Sequence, residues 1–126
     1  MSRRRLILLN SGVRLVYGVI VALWPSRTAD APVALAPDTD GLPEARLFVR
    51  GFSAHQVGVG LAGLASLRRK ELAPVALALA GAIDALDIAS ALIEARARGT
   101  WDEDLIGGAI FSGAGLGTAI AAWRSG

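Results

Sequence analysis

The sequence predicts an all-α integral membrane protein, a bundle of four spanning helices with both termini in the cytoplasm. Three observations predict this class. First, 53% of the 126 residues are hydrophobic and only 19% are charged, with a mean hydropathy of +0.49. Second, the chain contains four apolar runs, each with the roughly 20 residues that cross a hydrocarbon layer of about 30 Å. Third, the charged residues are concentrated between these runs and differ in sign from one side to the other.

The predicted spans belong to a single domain, residues 1–126, and cover residues 6–24, 47–67, 72–93 and 105–123. The first two are joined by an external loop, residues 25–46, which contains four of the five prolines. The short "RRKE" after the second span makes spans two and three antiparallel neighbours. The first span also has some features of a cleavable signal peptide. However, Arg14 interrupts its apolar run, and that run is longer than a typical signal core, so we expect an anchor.

The charged residues orient the chain, because basic residues are retained on the cytoplasmic side during insertion. One side contains Arg3, Arg4, Arg5, Arg68, Arg69, Lys70 and Arg124. The other contains Arg27, Arg46, Arg96 and Arg98 with eight acids, Asp30, Asp38, Asp40, Glu44, Glu94, Asp102, Glu103 and Asp104. The sequence pI of about 9.9 therefore reflects topology, and we expect no nucleic acid partner.

The fourth span is rich in glycine, and Gly113 with Gly117 forms a G-x-x-x-G pair. Small residues let helix backbones approach closely in lipid, where no hydrophobic force drives helices together. This pattern predicts close packing, either within the bundle or between copies in a homodimer or higher homo-oligomer. The chain has no cysteine, which excludes thiol catalysis, disulfides and cysteine metal sites.

Polar residues inside the spans are the candidate functional residues, because charge at bilayer depth normally faces the protein interior and finds partners. The seven candidates are Arg14, Tyr17, Arg50, His55, Gln56, Asp84 and Asp87. At about 1.5 Å of rise per residue, six of them, all except Gln56, are placed roughly 12 to 26 Å from the cytoplasmic face. Asn10, Arg14 and Tyr17 share one helical face, as do Asp84 and Asp87. We therefore expect a polar layer inside the bundle.

These depths predict specific partners. Arg14 can reach Asp84, which is level with His55, and Arg50 is level with Asp87. The two arginines and two aspartates sum to zero charge, which favours mutual pairing. We expect a polar cavity in the outer half, bounded by spans one, two and three, with the glycine-rich fourth span behind it or against a second subunit.

The polar layer has a structural interpretation and two functional ones. Buried ion pairs can simply specify which helices meet, as in an assembly or stability factor. Alternatively, a lipophilic small molecule enters the cavity and is isomerised or cyclised by acid–base chemistry without cofactor or metal. Asp84, His55 and Asp87 would then be catalytic, and Arg14, Tyr17, Arg50 and Gln56 would bind the substrate. The same carboxylates could instead couple protons to a small exporter.

The stretch "RLFVRGFSAHQVGVGLAGLASLRRK" followed by "DALDIASALIEA" resembles a group of small four-span bacterial membrane proteins, common in actinobacteria, of unestablished function. The resemblance covers spans two and three. It implies a helical bundle in the bacterial inner membrane. It assigns no chemistry, because a shared fold does not determine a function.

Overall fold

The computed structural model describes the backbone of residues 1–23 and 43–126, and the side chains of residues 1–23, 50–103 and 105–126. Over these residues the chain is helical, without strands. The four helices are α1 (Arg3–Leu23), α2 (Pro43–Ser66), α3 (Ala73–Arg98) and α4 (Glu103–Arg124), and a short 3-10 turn, Lys70–Leu72, precedes α3. All four predicted runs are therefore helical. Trp24 and most of the predicted external loop lie outside the described residues.

The ends of α3 and α4 follow from local sequence signals. Pro74 lies in the first turn of α3, where its missing N–H would have no intrahelical partner. Gly99 ends α3 with a φ of 71°, a left-handed conformation that glycine adopts without a steric penalty. Asp102 caps α4, and its carboxylate accepts a hydrogen bond of 2.9 Å from the backbone N–H of Leu105.

The helices form an up-down-up-down ring. The most extensive packing lies between α1 and α2 and between α3 and α4, and smaller contacts of α1 with α4 and of α2 with α3 close the ring. An apolar cluster joins the beginning of α1, the beginning of α3 and the end of α4; it contains Leu6, Ile7, Ala73, Leu77, Ala119 and Ala122. A second cluster, Ala91, Ala95 and Leu105, joins α3 to α4 near the opposite end.

Glycines allow the closest approach at the seam between α1 and α2. A Cβ atom on Gly18 would lie 2.9 Å from Val57 Cγ2, and one on Gly60 would lie 2.7 Å from Leu15 Cγ. By contrast, a Cβ on Gly113 or Gly117 would meet no atom within 4 Å. The G-x-x-x-G pair of the fourth span therefore does not pack against the other described helices, and its predicted contact between copies stays a prediction.

Three stretches of the described helices are long and apolar enough to cross a membrane: Arg3–Leu23, Lys70–Arg98 and Leu105–Arg124. Large apolar side chains such as Val16, Leu86 and Ile110 are exposed on the outside of the bundle. A water-soluble bundle would cover such a surface or replace it with charged residues. The chain therefore has the helices and the outer surface of a membrane protein. Helix α2, whose side chains are described for residues 50–66, is not among the three stretches.

Candidate functional site

The candidate site is a buried polar cluster centred on Arg14, at the middle of α1. Arg14 is 2% exposed and forms an ion pair with Asp84 of α3, which is 1% exposed. The same guanidinium donates from Nη1 to Gln56 Oε1 of α2 at 2.8 Å and from Nε to Asn10 Oδ1 at 3.0 Å. One arginine thus connects three helices, and the predicted pairing of Arg14 with Asp84 is confirmed.

Helix α4 also belongs to this cluster, so the prediction that spans one, two and three alone bound the polar site is wrong. Asn10 Nδ2 donates to the backbone carbonyl of Gly115 at 3.1 Å and to Thr118 Oγ1 at 2.8 Å. Gly115 makes this arrangement possible, because a Cβ atom there would lie 2.5 Å from Asp84 Oδ2. The fourth helix supplies a backbone carbonyl, a hydroxyl and the space that the Asp84 carboxylate occupies.

Asp87, one turn beyond Asp84, lies at the outer edge of the cluster and is partly buried. Its carboxylate interacts with the side chain of Ser112 on α4 and lies within electrostatic range of Arg14. Tyr17 is near the same carboxylate, and its ring packs on Phe111 at a centroid separation of 5.0 Å. Asp87 therefore joins the cluster through α1 and α4.

The cluster contains two carboxylates and one guanidinium. Asp84 Oδ1 is buried and has no hydrogen-bond partner in the part of the chain that the structure describes. With both aspartates ionised, Arg14, Asp84 and Asp87 sum to a formal charge of −1. An uncompensated charge in low dielectric is costly, and binding a single proton would neutralise it. One of the two carboxylates can therefore bind a proton, or the cluster can donate a hydrogen bond to a ligand.

Arg50 and His55 lie outside the cluster, which corrects two predicted pairings. Both side chains are exposed on the outer surface of α2. His55 Nδ1 is 2.9 Å from the carbonyl oxygen of Gly51 on the same helix, and no ion pair joins Arg50 to Asp87 among the described residues. The buried face of α2 carries Ser53, Gln56 and Gly60. Because successive helical residues differ by about 100° in direction, His55 points away from the face that contains Gln56.

A groove between α1 and α4 leads to this cluster. Its volume is about 180 Å³, and its lining is almost wholly apolar. The lining residues are Leu9, Asn10, Val13, Arg14, Phe111, Ala114, Gly115 and Thr118. Leu9, Val13 and Ala114 are exposed, whereas Asn10 and Arg14 are buried. The groove is therefore open at the outer surface of the bundle and has the polar cluster at its floor.

Gly115, Ser112 and Thr118 were not among the site residues predicted from the sequence. The available signal was that Ser112 and Thr118 are polar residues within an apolar run. They lie three positions before and three positions after Gly115. That spacing places all three near one helical face. The described residues contain no group of three or more His, Cys, Asp or Glu side chains that could hold a metal ion.

Comparisons with known proteins do not identify the site. No protein-family model, curated protein or solved structure matches the chain.

Proposed function

We propose that the chain is a four-span protein of the bacterial inner membrane, with both termini in the cytoplasm. The ring of helices supports four spans, because α2 packs closely against α1 at Gly18 and Gly60 and contributes Gln56 to the centre of the bundle. With α2 crossing alongside α1, α3 and α4, the basic beginning of α1, the basic connection between α2 and α3 and the basic end of α4 fall on one side.

Within this architecture, the α1–α4 groove binds a lipophilic small molecule that carries a polar group. The observation that carries the proposal is the position of the groove: its exposed walls are apolar and its floor is the Arg14 cluster. An apolar molecule can reach such a groove directly from the lipid. Its polar group would then meet the Arg14 guanidinium at the floor of the groove, in a low-dielectric environment where hydrogen bonds are strong.

The chemistry proposed for this site is cofactor-free proton transfer, as in an isomerisation or a cyclisation. Asp84 is held by Arg14, whereas Asp87 lies at the edge of the cluster beside Tyr17 and Ser112. Two carboxylates one turn apart in different environments can act as an acid and a base. Asp87, the more accessible of the two, is the proposed base that removes a proton from the substrate and then, as the acid so formed, returns it to another atom of the same substrate. Asp84 with Arg14 orients the substrate.

Obstruction of the groove tests the binding proposal. Val13 and Val16 are both exposed valines of α1, but only Val13 lines the groove. The Val13→Phe variant should lose small molecules that copurify with the protein, as detected by mass spectrometry of extracts, while Val16→Phe should retain them. Equal retention by the two variants, or no copurifying small molecule in the unmodified protein, would contradict binding at this groove.

Proton-coupled export is a second candidate, because the cluster has one more carboxylate than arginine. This function predicts proton-driven flux of a lipophilic cation into inverted vesicles that contain the purified protein, and loss of that flux in Asp87→Asn. An enzyme would show no such flux. A purely structural cluster would show neither flux nor ligand, and Asp87→Asn would change only stability.

A further inference from the structure

A second groove lies on the opposite seam of α4, between α3 and α4. Its volume is about 230 Å³, and the residues that line it are Leu77, Ala78, Gly81, Ala119, Ile120, Trp123 and Arg124. Five of the seven are aliphatic or glycine, and Trp123 and Arg124 lie at the last turn of α4. The groove is therefore apolar along its length, with an aromatic ring and a positive charge at one end.

The end marked by Arg124 is also the most basic part of the described molecule. The beginning of α1, the connection between α2 and α3 and the end of α4 meet there, around the apolar cluster of Leu6, Ala73 and Ala122. The exposed basic residues at this end are Arg4, Arg5, Arg68, Arg69, Lys70 and Arg124. Glu71 is the single acidic residue at this end of the described chain. An anionic group beside Arg124 would therefore be attracted from several directions.

We propose that the α3–α4 groove is a binding site for an anionic phospholipid. One acyl chain lies along Ala78, Gly81 and Ile120, and the phosphate lies beside Arg124 at the membrane surface. Tryptophan rings favour the headgroup level of a bilayer, which places Trp123 at the same depth as the phosphate. Basic pockets at the cytoplasmic ends of spanning helices bind anionic headgroups through the same combination of charge and position.

Charge selects a lipid over a second copy of the chain as the occupant. Two copies that met at this groove as parallel neighbours would bring two strongly basic ends together, and the repulsion would oppose their association. An anionic lipid has the complementary charge and an apolar chain that fits the groove. The proposal rests on the membrane topology proposed above, but the site is distinct from the α1–α4 groove, so it does not depend on ligand binding or catalysis there.

Lipid titration of the purified protein in detergent tests the proposal, with native mass spectrometry to count bound lipids. The probes are phosphatidylglycerol and phosphatidylcholine with identical acyl chains. The unmodified protein should retain phosphatidylglycerol in preference to phosphatidylcholine. Arg124→Gln should weaken phosphatidylglycerol binding about fivefold, the factor that corresponds to about 1 kcal/mol for one basic residue near the headgroup. Arg96→Gln, an exposed arginine at the opposite end, should have no effect.

Obstruction of the α3–α4 groove provides a second test of the lipid proposal. Ala78 and Ala85 are both exposed alanines of α3, but only Ala78 lines the groove. Ala78→Phe should reduce binding of phosphatidylglycerol, and Ala85→Phe should not. Because both positions are exposed, neither change disturbs the interior. Equal lipid binding by Ala78→Phe and the unmodified protein would overturn the proposal, as would a change of oligomeric state in Ala78→Phe with lipid binding unaltered.

Discussion

Arg14 and Arg50 are both arginines within helices of this bundle, and their surroundings are opposite. Arg14 is buried, paired with Asp84 and hydrogen-bonded to Gln56 and Asn10. Arg50 is exposed on the outer surface of α2, as is its neighbour His55. The depth of a residue along a helix is therefore independent of the helix face on which it lies. A residue joins the cluster only if it lies at the depth of the cluster and also on the inward face of its helix.

The buried Arg14 cluster and the exposed outer face of α2 should differ in how much a substitution lowers the free energy of unfolding. A buried charge that loses its partner bears the full cost of desolvation, whereas an exposed charge remains in contact with the surroundings of the bundle. Substitutions in the inner cluster should therefore be much more costly than matched substitutions on the outer face of α2.

The largest expected effect is that of Arg14→Met. Removal of the guanidinium leaves the Asp84 carboxylate buried without its partner, which should lower the free energy of unfolding by about 3 to 5 kcal/mol. Arg50→Met should change it by less than about 0.5 kcal/mol. Unfolding in mixed detergent, followed by circular dichroism, measures both. The double variant Arg14→Met with Asp84→Leu should recover much of the loss, and equal destabilisation by the two single variants would contradict the comparison.

A smaller effect is expected when the space beside Asp84 is filled. Gly115→Ala places a Cβ atom about where the Asp84 carboxylate lies, and such overpacking should cost about 1 to 3 kcal/mol. Gly117→Ala, on the open face of the same helix, should be neutral or stabilising by up to about 1 kcal/mol because alanine favours the helix. The same unfolding assay applies. A destabilised Gly117→Ala variant would show that this face has a partner.

The hydrogen bonds of Asn10 provide a third comparison. Asn10→Ala removes the link from α1 to Thr118 and Gly115 and leaves Arg14 Nε without its acceptor, so a loss of about 1 to 2 kcal/mol is expected. Ser90→Ala, an exposed polar residue of α3, should change stability by less than about 0.5 kcal/mol. Thermal melting in detergent distinguishes the two. Similar melting temperatures for both variants would argue against the Asn10 link.

The smallest effect is expected for His55→Ala, because His55 is exposed and bonds only to the carbonyl of Gly51 among the described residues. Its neighbour Gln56 is 1% exposed and accepts from Arg14, so Gln56→Ala should cost at least about 1 kcal/mol. Measurement of both in the same detergent compares an exposed residue of α2 with its buried neighbour. A loss of stability or of ligand binding in His55→Ala alone would place His55 in the site.

The helical class, the four helical segments and the pairing of Arg14 with Asp84 could all be predicted from the sequence. An apolar run of about 20 residues predicts a spanning helix, because in lipid each backbone N–H and C=O group must form its hydrogen bond within the same segment. The spacing of Asn10, Arg14 and Tyr17 predicted one inward face of α1, and all three residues contact or approach the cluster. These predictions depend on the position of each residue along its own helix, which sequence spacing determines.

The rotation of each helix and the choice of its neighbours were decided by the tertiary structure. Sequence depth placed Arg50 level with Asp87, yet close packing of α2 against α1 through Gly60 and Ser53 turns Arg50 outward. The fourth helix, expected behind the site or against a second subunit, forms one wall of it because Gly115 leaves room for the Asp84 carboxylate. Such outcomes depend on which side chains of different helices fit together, and no periodicity within a single helix contains that information.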